Sequence, residues 1–330
     1  MLPVHFAPLQ GFTDSAYRRA HAKFAGGIAA YYTPFLRLEK GKARAKDLND
    51  LLEDKSRGEA AGYRLIPQII AKNAEEFCRL VECLLQNGFR EINLNMGCPF
   101  PKQTLAGRGA GILERPEKVQ EIFQEIGRYA PEVQFSIKLR TGMNSPSEIF
   151  RLLSLFNSAP LSHIVLHPRL GVQQYRGELD MDSFRRFYEA CAHPLLFNGD
   201  IVSSSQIDKL ESEFPRLAGV MIGRGLLQRP TLARESAIKK SWPRFLPSCK
   251  FTRRYSTITG PNGKIRSSFS TKFVRFGHSP TCRTKSPKKS AKRVHSPNTR
   301  TPFSNSRRLE NFCATSCTLF FGFAQFHFGL

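Results

Sequence analysis

Glu91-Ile92-Asn93-Leu94-Asn95-Met96-Gly97-Cys98-Pro99 is the stretch on which the fold turns. Its first five residues form a short run of the kind buried on both faces of a parallel sheet. Gly97 then permits a sharp turn, and Pro99 stiffens the exit of a loop that carries Cys98. Similar runs precede it at Val4–Pro8, Ile28–Thr33 and Leu65–Ile70. Others follow at Gln134–Leu139, His163–His167, Leu195–Asn198 and Gly219–Ile222. Helical patterns lie between them, as in Ala74–Gln86 and Pro116–Arg128; in the second, Val119, Ile122, Phe123 and Ile126 recur at helical spacing behind a proline suited to a first turn. Eight strands alternating with helices in about 230 residues predict an α/β fold, a (β/α)8 TIM barrel. An open doubly wound sheet is the alternative. Gln68, Asn95, Lys138, His167 and Asn198 each fall at or near the C-terminal end of a different strand. A barrel gathers such residues around one mouth, whereas an open sheet scatters several of them away from its switch point.

The chain has 330 residues, 41% hydrophobic and 23% charged, which is the composition of a globular protein with one large core. No apolar run approaches the roughly 18–20 residues needed to span a bilayer. Met1–Phe6 lacks the basic and apolar regions of a signal peptide, so a cytoplasmic location without a membrane partner is the expectation. The net charge of +23 is unevenly spread: residues 236–330 hold 19 Lys and Arg against one acid, Glu310. Residues 1–235 hold 31 bases and 26 acids. The composition therefore predicts a catalytic barrel over 1–235 and a basic, low-order tail over 236–330. Stretches such as Thr284–Ser290 cannot bury enough apolar surface to offset chain entropy. Eight cysteines are present without a C-x-x-C pair, so they read as thiols and no metal site is expected.

Cys98 at a strand-end loop reads as a nucleophile or an acid, or else as a small apolar thiol packed at the loop base. Asn95 taken alone is a turn residue, and Lys138 taken alone is a snorkelling lysine at the rim. Asn198-Gly199-Asp200 and Gly223-Arg224-Gly225 follow the seventh and eighth strands, the usual phosphate position in such barrels. Their glycines let main-chain N–H groups approach an anion, and Arg224 adds charge. Arg18, Arg19, Lys40, Lys42, Arg44 and Lys46 suit an RNA backbone. A solvated helical face explains Lys40–Lys46 equally well, because Glu39, Asp47 and Asp50 accompany it.

Several motifs together resemble the dihydrouridine synthase family. They are Phe6-Ala7-Pro8-Leu9-Gln10-Gly11-Phe12-Thr13-Asp14, Asn95-Met96-Gly97-Cys98-Pro99 with Lys102, Lys138-Leu139-Arg140, His167-Pro168-Arg169, Asn198-Gly199-Asp200 and Gly223-Arg224-Gly225. They run in order over about residues 3 to 235. The resemblance implies an enzyme that uses FMN to pass hydride from NADPH to C6 of a uracil in tRNA, with Cys98 protonating C5. It implies flavin contacts from Pro8 and Leu9 through main-chain groups, from Gln68, Lys138 and His167, and phosphate contacts from Asn198, Gly199, Asp200, Gly223 and Arg224. Asn95 and Lys102 become uracil and tRNA contacts, and Arg169 a substrate or phosphate ligand. Which uridine is reduced, and the oligomeric state, stay open.

Residues 236–330 lack the periodicity of the helical bundle that follows the barrel in this family. The abrupt change resembles a shifted reading frame or a wrongly placed gene end; the alternative is a genuine basic tail that grips tRNA phosphates. Two rival functions remain: an FMN-dependent oxidoreductase of free pyrimidines, and a catalytically impaired RNA-binding remnant. Lys102 and the opening Ala7–Asp14 motif speak against the first.

Overall fold

A computed structural model describes residues 1–58, 62–241, 256–259 and 265–268. The chain runs through β1 (Val4–Phe6), α1 (Ser15–Phe24), β2 (Ala30–Tyr32), the strands β3 (Leu38–Glu39) and β4 (Lys42–Ala43), α2 (Ala45–Gly58), β5 (Leu65–Ile66), β6 (Gln68–Ile69) and α3 (Ala74–Gln86). It continues through β7 (Glu91–Met96), α4 (Pro101–Thr104), a 3-10 segment (Gly109–Glu114), α5 (Pro116–Tyr129), β8 (Gln134–Gly142), α6 (Ser147–Ser158), β9 (Leu161–Leu170) and α7 (Met181–Ala190). Then come β10 (Leu195–Asn198), α8 (Ser204–Glu213), β11 (Leu217–Ile222), α9 (Arg224–Gln228) and α10 (Leu232–Ser241).

Nine of these strands form one parallel sheet in the order β5-β2-β1-β11-β10-β9-β8-β7-β6. Its two outermost members, β5 and β6, are consecutive in the chain and separated only by Pro67. They are one stave, so the sheet closes into the expected eight-stave barrel and the open-sheet alternative falls. Pro67 has no N–H to give, and the ladder is mended around it. Gln68 N donates to Thr33 Oγ1 at 3.0 Å, Asn93 N donates to Pro67 O at 2.9 Å, and Leu36 bridges to Ile69.

Alternation along each stave decides what faces the interior. Ile92, Leu94, Phe135, Ile137, Leu139, Ile164 and Leu166 belong to the outer core, packed under helix faces such as Phe77, Leu80 and Leu84 of α3. The residues between them point inward. Tyr32, Ile66, Val165, Leu196 and Met221 form a separate small apolar cluster. A polar layer accompanies them: Tyr32 OH lies 3.2 Å from His5 Nδ1 and 2.8 Å from His163 Nε2. Burial pushes His5 down to about 3 and His163 to about 4, so both rings are neutral.

Three expectations change. Lys40–Lys46 is not one helical face: Lys40 and Gly41 turn the β3–β4 hairpin, and α2 starts only at Ala45. Arg18 does not face RNA. It is wholly buried, with Nε 2.6 Å from Asp54, Nη2 2.9 Å from Asp50 and Nη1 2.6 Å from Thr13 O, and it ties α1 to α2. Arg19 pairs with Glu53 beside it. Third, α10 runs through the boundary expected at Glu235, with Ser236 buried.

The chain divides into compact units Met1–Pro247 and Ser248–Leu330. In the second, β12 (Ser256–Thr259) pairs antiparallel with β13 (Ile265–Ser268), Ser256 opposite Ser268. The rest of the predicted low-order tail lies outside the described residues. Among the described residues no helix is long and apolar enough to cross a membrane.

Replacing Arg18 by Met keeps the apolar stem but strands two carboxylates, one of them fully buried. The expected loss is about 3–5 kcal/mol of unfolding free energy, read from the urea midpoint. A shift under about 1 kcal/mol would mean that the cluster does not hold the two helices together.

Candidate active site

A cavity of about 420 Å³ opens at the C-terminal ends of the staves. Its wall holds Pro8, Leu9, Gln68, Asn95, Cys98, Lys138, His167, Asn198, Gly199, Asp200, Gly223 and Arg224, each singled out from sequence. Lys102 and Arg169 are not in that wall. Lys102 is exposed on α4, and Arg169 is buried behind it.

The inward positions of β7 and β8 build one side. Gln68 Nε2 donates to Asn93 Oδ1 at 2.7 Å, Asn93 Nδ2 to Ser136 Oγ at 2.8 Å, and Asn95 Nδ2 to Gln68 Oε1 at 2.8 Å. Asn95 Oδ1 accepts from Gly97 N at 3.1 Å and Cys98 N at 2.9 Å. That amide therefore fixes the turn that presents the thiol and keeps one Nδ2 hydrogen free for another acceptor. Behind the turn, Ala110 N donates to Cys98 O at 3.0 Å. Gly109, at φ +59°, packs so closely that an added Cβ would lie 2.5 Å from Cys98 O and 2.8 Å from Cys98 Cβ.

Cys98 is buried, and burial pushes its thiol up; a hydrogen bond from the Phe100 main chain and the charges of Arg140 and Lys138 only partly offset this. The thiol is thus protonated at neutral pH. Lys138 has no hydrogen bond or acidic partner among the described residues. Burial and then Arg140 bring it down to about 7. Burial, reinforced by Lys138, Arg140, Arg169 and Arg224, holds His167 well below the usual imidazole range, so its ring is neutral. Arg140 is pinned by Gly97 O at 3.0 Å and Leu170 O at 2.8 Å.

Asp200 is the acid in this wall, and it is fully engaged. It pairs with Arg169, whose hydrogen bond holds its carboxyl below the ordinary range, and with Arg224 at 2.6 Å. Arg169 also donates to Gly177 O at 2.7 Å and lies 3.3 Å from His167 Nε2. Its guanidinium is therefore spent on fixing Asp200 and the loop after β9. Tyr175, carried by that loop, lies between Arg224 and Arg140, with ring centroid distances of 4.8 and 5.4 Å. The cavity as a whole carries more positive than negative charge and suits an anionic ligand.

Sequence reasoning gave no site role to Arg140, Tyr175, Asn93 or Ser136. Period two along β7 and β8 would have found three of them, because Asn93 shares a face with Asn95, and Ser136 and Arg140 share a face with Lys138. Tyr175 sits on an irregular loop and carries no such signal.

A family model described as Dihydrouridine synthase (Dus) matches residues 5–272, past Glu235 where the motif resemblance stops. A Pasteurella multocida protein named tRNA-dihydrouridine synthase B is 25% identical over 245 residues, covering 72% of this chain and 70% of its own. An Aquipseudomonas alcaligenes protein named tRNA-dihydrouridine(16) synthase is 28% identical over 246 residues, covering 72% and 75%. Among solved structures, morphinone reductase in complex with tetrahydroNAD superposes with a TM-score of 0.54 at 12% identity, over 72% of this chain and 86% of that one. At that identity the likeness is one of fold.

Gly109→Ala forces either the Cys98 loop or its own backbone to move. The expected cost is about 1–3 kcal/mol in stability, with faster alkylation of Cys98 followed by peptide mapping. Unchanged alkylation would show that the glycine does not position the thiol.

Proposed function

The chain belongs to the dihydrouridine synthase family, and from that premise we propose that it reduces a uridine of tRNA to dihydrouridine with Cys98 as the proton donor. The observation that carries this reading is one cavity holding both a protonated, buried thiol and a half-buried lysine without a protein partner.

The residues present fit FMN. Pro8, Leu9 and Met221 offer an apolar wall for a flat ring, and Lys138 offers an unpaired cation for its polar edge. Gln68 and Asn198 bring amides, and Arg224 lies beside the loop glycines where a phosphate is expected. When bound, FMN supplies the relay of hydride from NADPH to the uracil C5=C6 bond.

The chain's own residues do the rest. Asn95 holds the 97–98 turn that keeps Cys98 in the cavity wall, and the thiol gives its proton to C5 as hydride reaches C6. The thiolate left behind is stabilised by Arg140 and Lys138, the two charges that already pull the thiol down, and solvent restores its proton. Neutral His167 offers a hydrogen bond without adding charge to a cavity already rich in cations. Asp200 keeps Arg169 and Arg224 in place and moderates their charge.

Mass spectrometry of tRNA from cells with and without the gene tests the activity: one dihydrouridine should disappear, and unchanged dihydrouridine would refute the proposal. Cys98→Ala should retain FMN and NADPH oxidation while product formation falls about 10²- to 10⁴-fold. Because the thiol is raised, wild-type turnover should persist through neutral pH and decline only above the ordinary thiol range. With FMN kept saturating, a decline beginning below neutrality would contradict Cys98 as the acid.

Lys138 carries charge below about pH 7 and loses it above. FMN titrated into apo-protein should therefore bind more weakly as pH rises from about 6 to about 8, and a bound anion should push that transition upward. Lys138→Met should bind weakly throughout and lose this part of the pH dependence. Identical profiles in the two proteins would remove Lys138 from the flavin site.

A further inference from the structure

We propose that the rim of the cavity is a stacking platform for the nucleotides flanking the target uridine, so that RNA enters as an unpaired strand. This rests on the tRNA reading and adds to it a recognition surface. Among the described residues, the large apolar side chains left exposed are unevenly placed. Phe12, Phe100, Leu105, Val172, Tyr175 and Val202 all lie on loops after the C-terminal ends of the staves; only Met1, Phe24 and Ile238 lie elsewhere. Phe12 is 60% exposed in the loop after β1, and Phe100 is 49% exposed beside Cys98. A single exposed apolar residue means little, but an apolar ring around a cavity marks a surface that something covers.

Charge identifies the occupant. Lys102 and Arg176 are exposed on two of these loops and Lys42 on the β3–β4 hairpin that follows β2, and none of the three has an acidic partner among the described residues. Protein-docking faces gather apolar residues and shed lysine at their centre, whereas aromatics interleaved with cations suit single-stranded nucleic acid. The chemistry demands the same arrangement. Cys98 is only 7% exposed, so a uracil must leave its own stack to reach it. Its neighbours then lose a stacking partner, and the faces of Phe12 and Phe100 replace it.

The test uses the full-length, FMN-loaded chain and tRNA from cells lacking the gene. Phe12→Ala and Phe100→Ala should each raise KM for tRNA about tenfold. Trp at either position should restore KM, and Leu should not. Unchanged KM in an active enzyme overturns the platform and leaves the proposed activity standing. Rescue by Leu equal to that by Trp also overturns it, since it reports a general apolar contact such as a protein partner would make. If the wild-type chain forms no dihydrouridine on this tRNA, the activity itself is refuted and the platform falls with it.

Discussion

Closure of the sheet across Pro67 is the constraint that the rest of the molecule answers to. A closed ring has an inside, and strand alternation then sends every second side chain there. On β7 that places Asn93 and Asn95 inward and Ile92, Leu94 and Met96 outward; on β8 it places Ser136, Lys138 and Arg140 inward. A slip of one residue would bury the two asparagines of β7, or the lysine and arginine of β8, under the helices and turn apolar side chains toward the cavity. The outer core opposes that slip strongly, because Phe135, Ile137 and Leu139 pack against helix faces that are themselves buried. The position of the polar groups is thus enforced by apolar packing on the opposite face of the same strands.

What the packing delivers is electrostatically uncomfortable in isolation. Lys138, Arg140 and Arg224 line one space, with Arg169 buried behind its wall and Asp200 as the acid engaged by Arg169 and Arg224. Asp200 itself holds a φ of +42°, a conformation that a non-glycine residue adopts at some cost. Two ion pairs compensate for that strain. Lys138 is left without compensation, and its lowered pKa reflects a half-buried cation that no carboxylate among the described residues pairs with. Such a group lowers stability unless a ligand completes it, and functional sites concentrate groups of this kind.

Much of this was legible in the sequence because period two and helical spacing are local. The eight staves, the barrel and twelve residues of the cavity wall could be read from strand-end polar residues and paired motifs. The failures have a common cause. Arg18 looked like a surface cation because its partners Asp50 and Asp54 lie more than thirty positions away and meet it only when α1 packs on α2. Arg169 looked like a ligand because Asp200, which engages it, arrives from the next stave. Lys40–Lys46 looked helical because charge interleaving is common to helices and tight hairpins, and only the backbone at Lys40 and Gly41 separates them. Long-range neutralisation is invisible to any window read along the chain.

The buried thiol shows why reach and reactivity must be solved together. Burial keeps Cys98 protonated, as the proposed acid must be, yet the same burial would deny it to a base within a helix. Exposing the sulfur would solve access but would let water screen Arg140 and Lys138, the charges that make proton loss tolerable. The structure leaves the thiol deep and places apolar and cationic groups on the loops above it. In the proposed reaction the cost of bringing a uracil down is shifted from the reacting centre to the rim, where contacts to neighbouring nucleotides offset it. Remote binding energy used in this way raises turnover rather than merely tightening the complex.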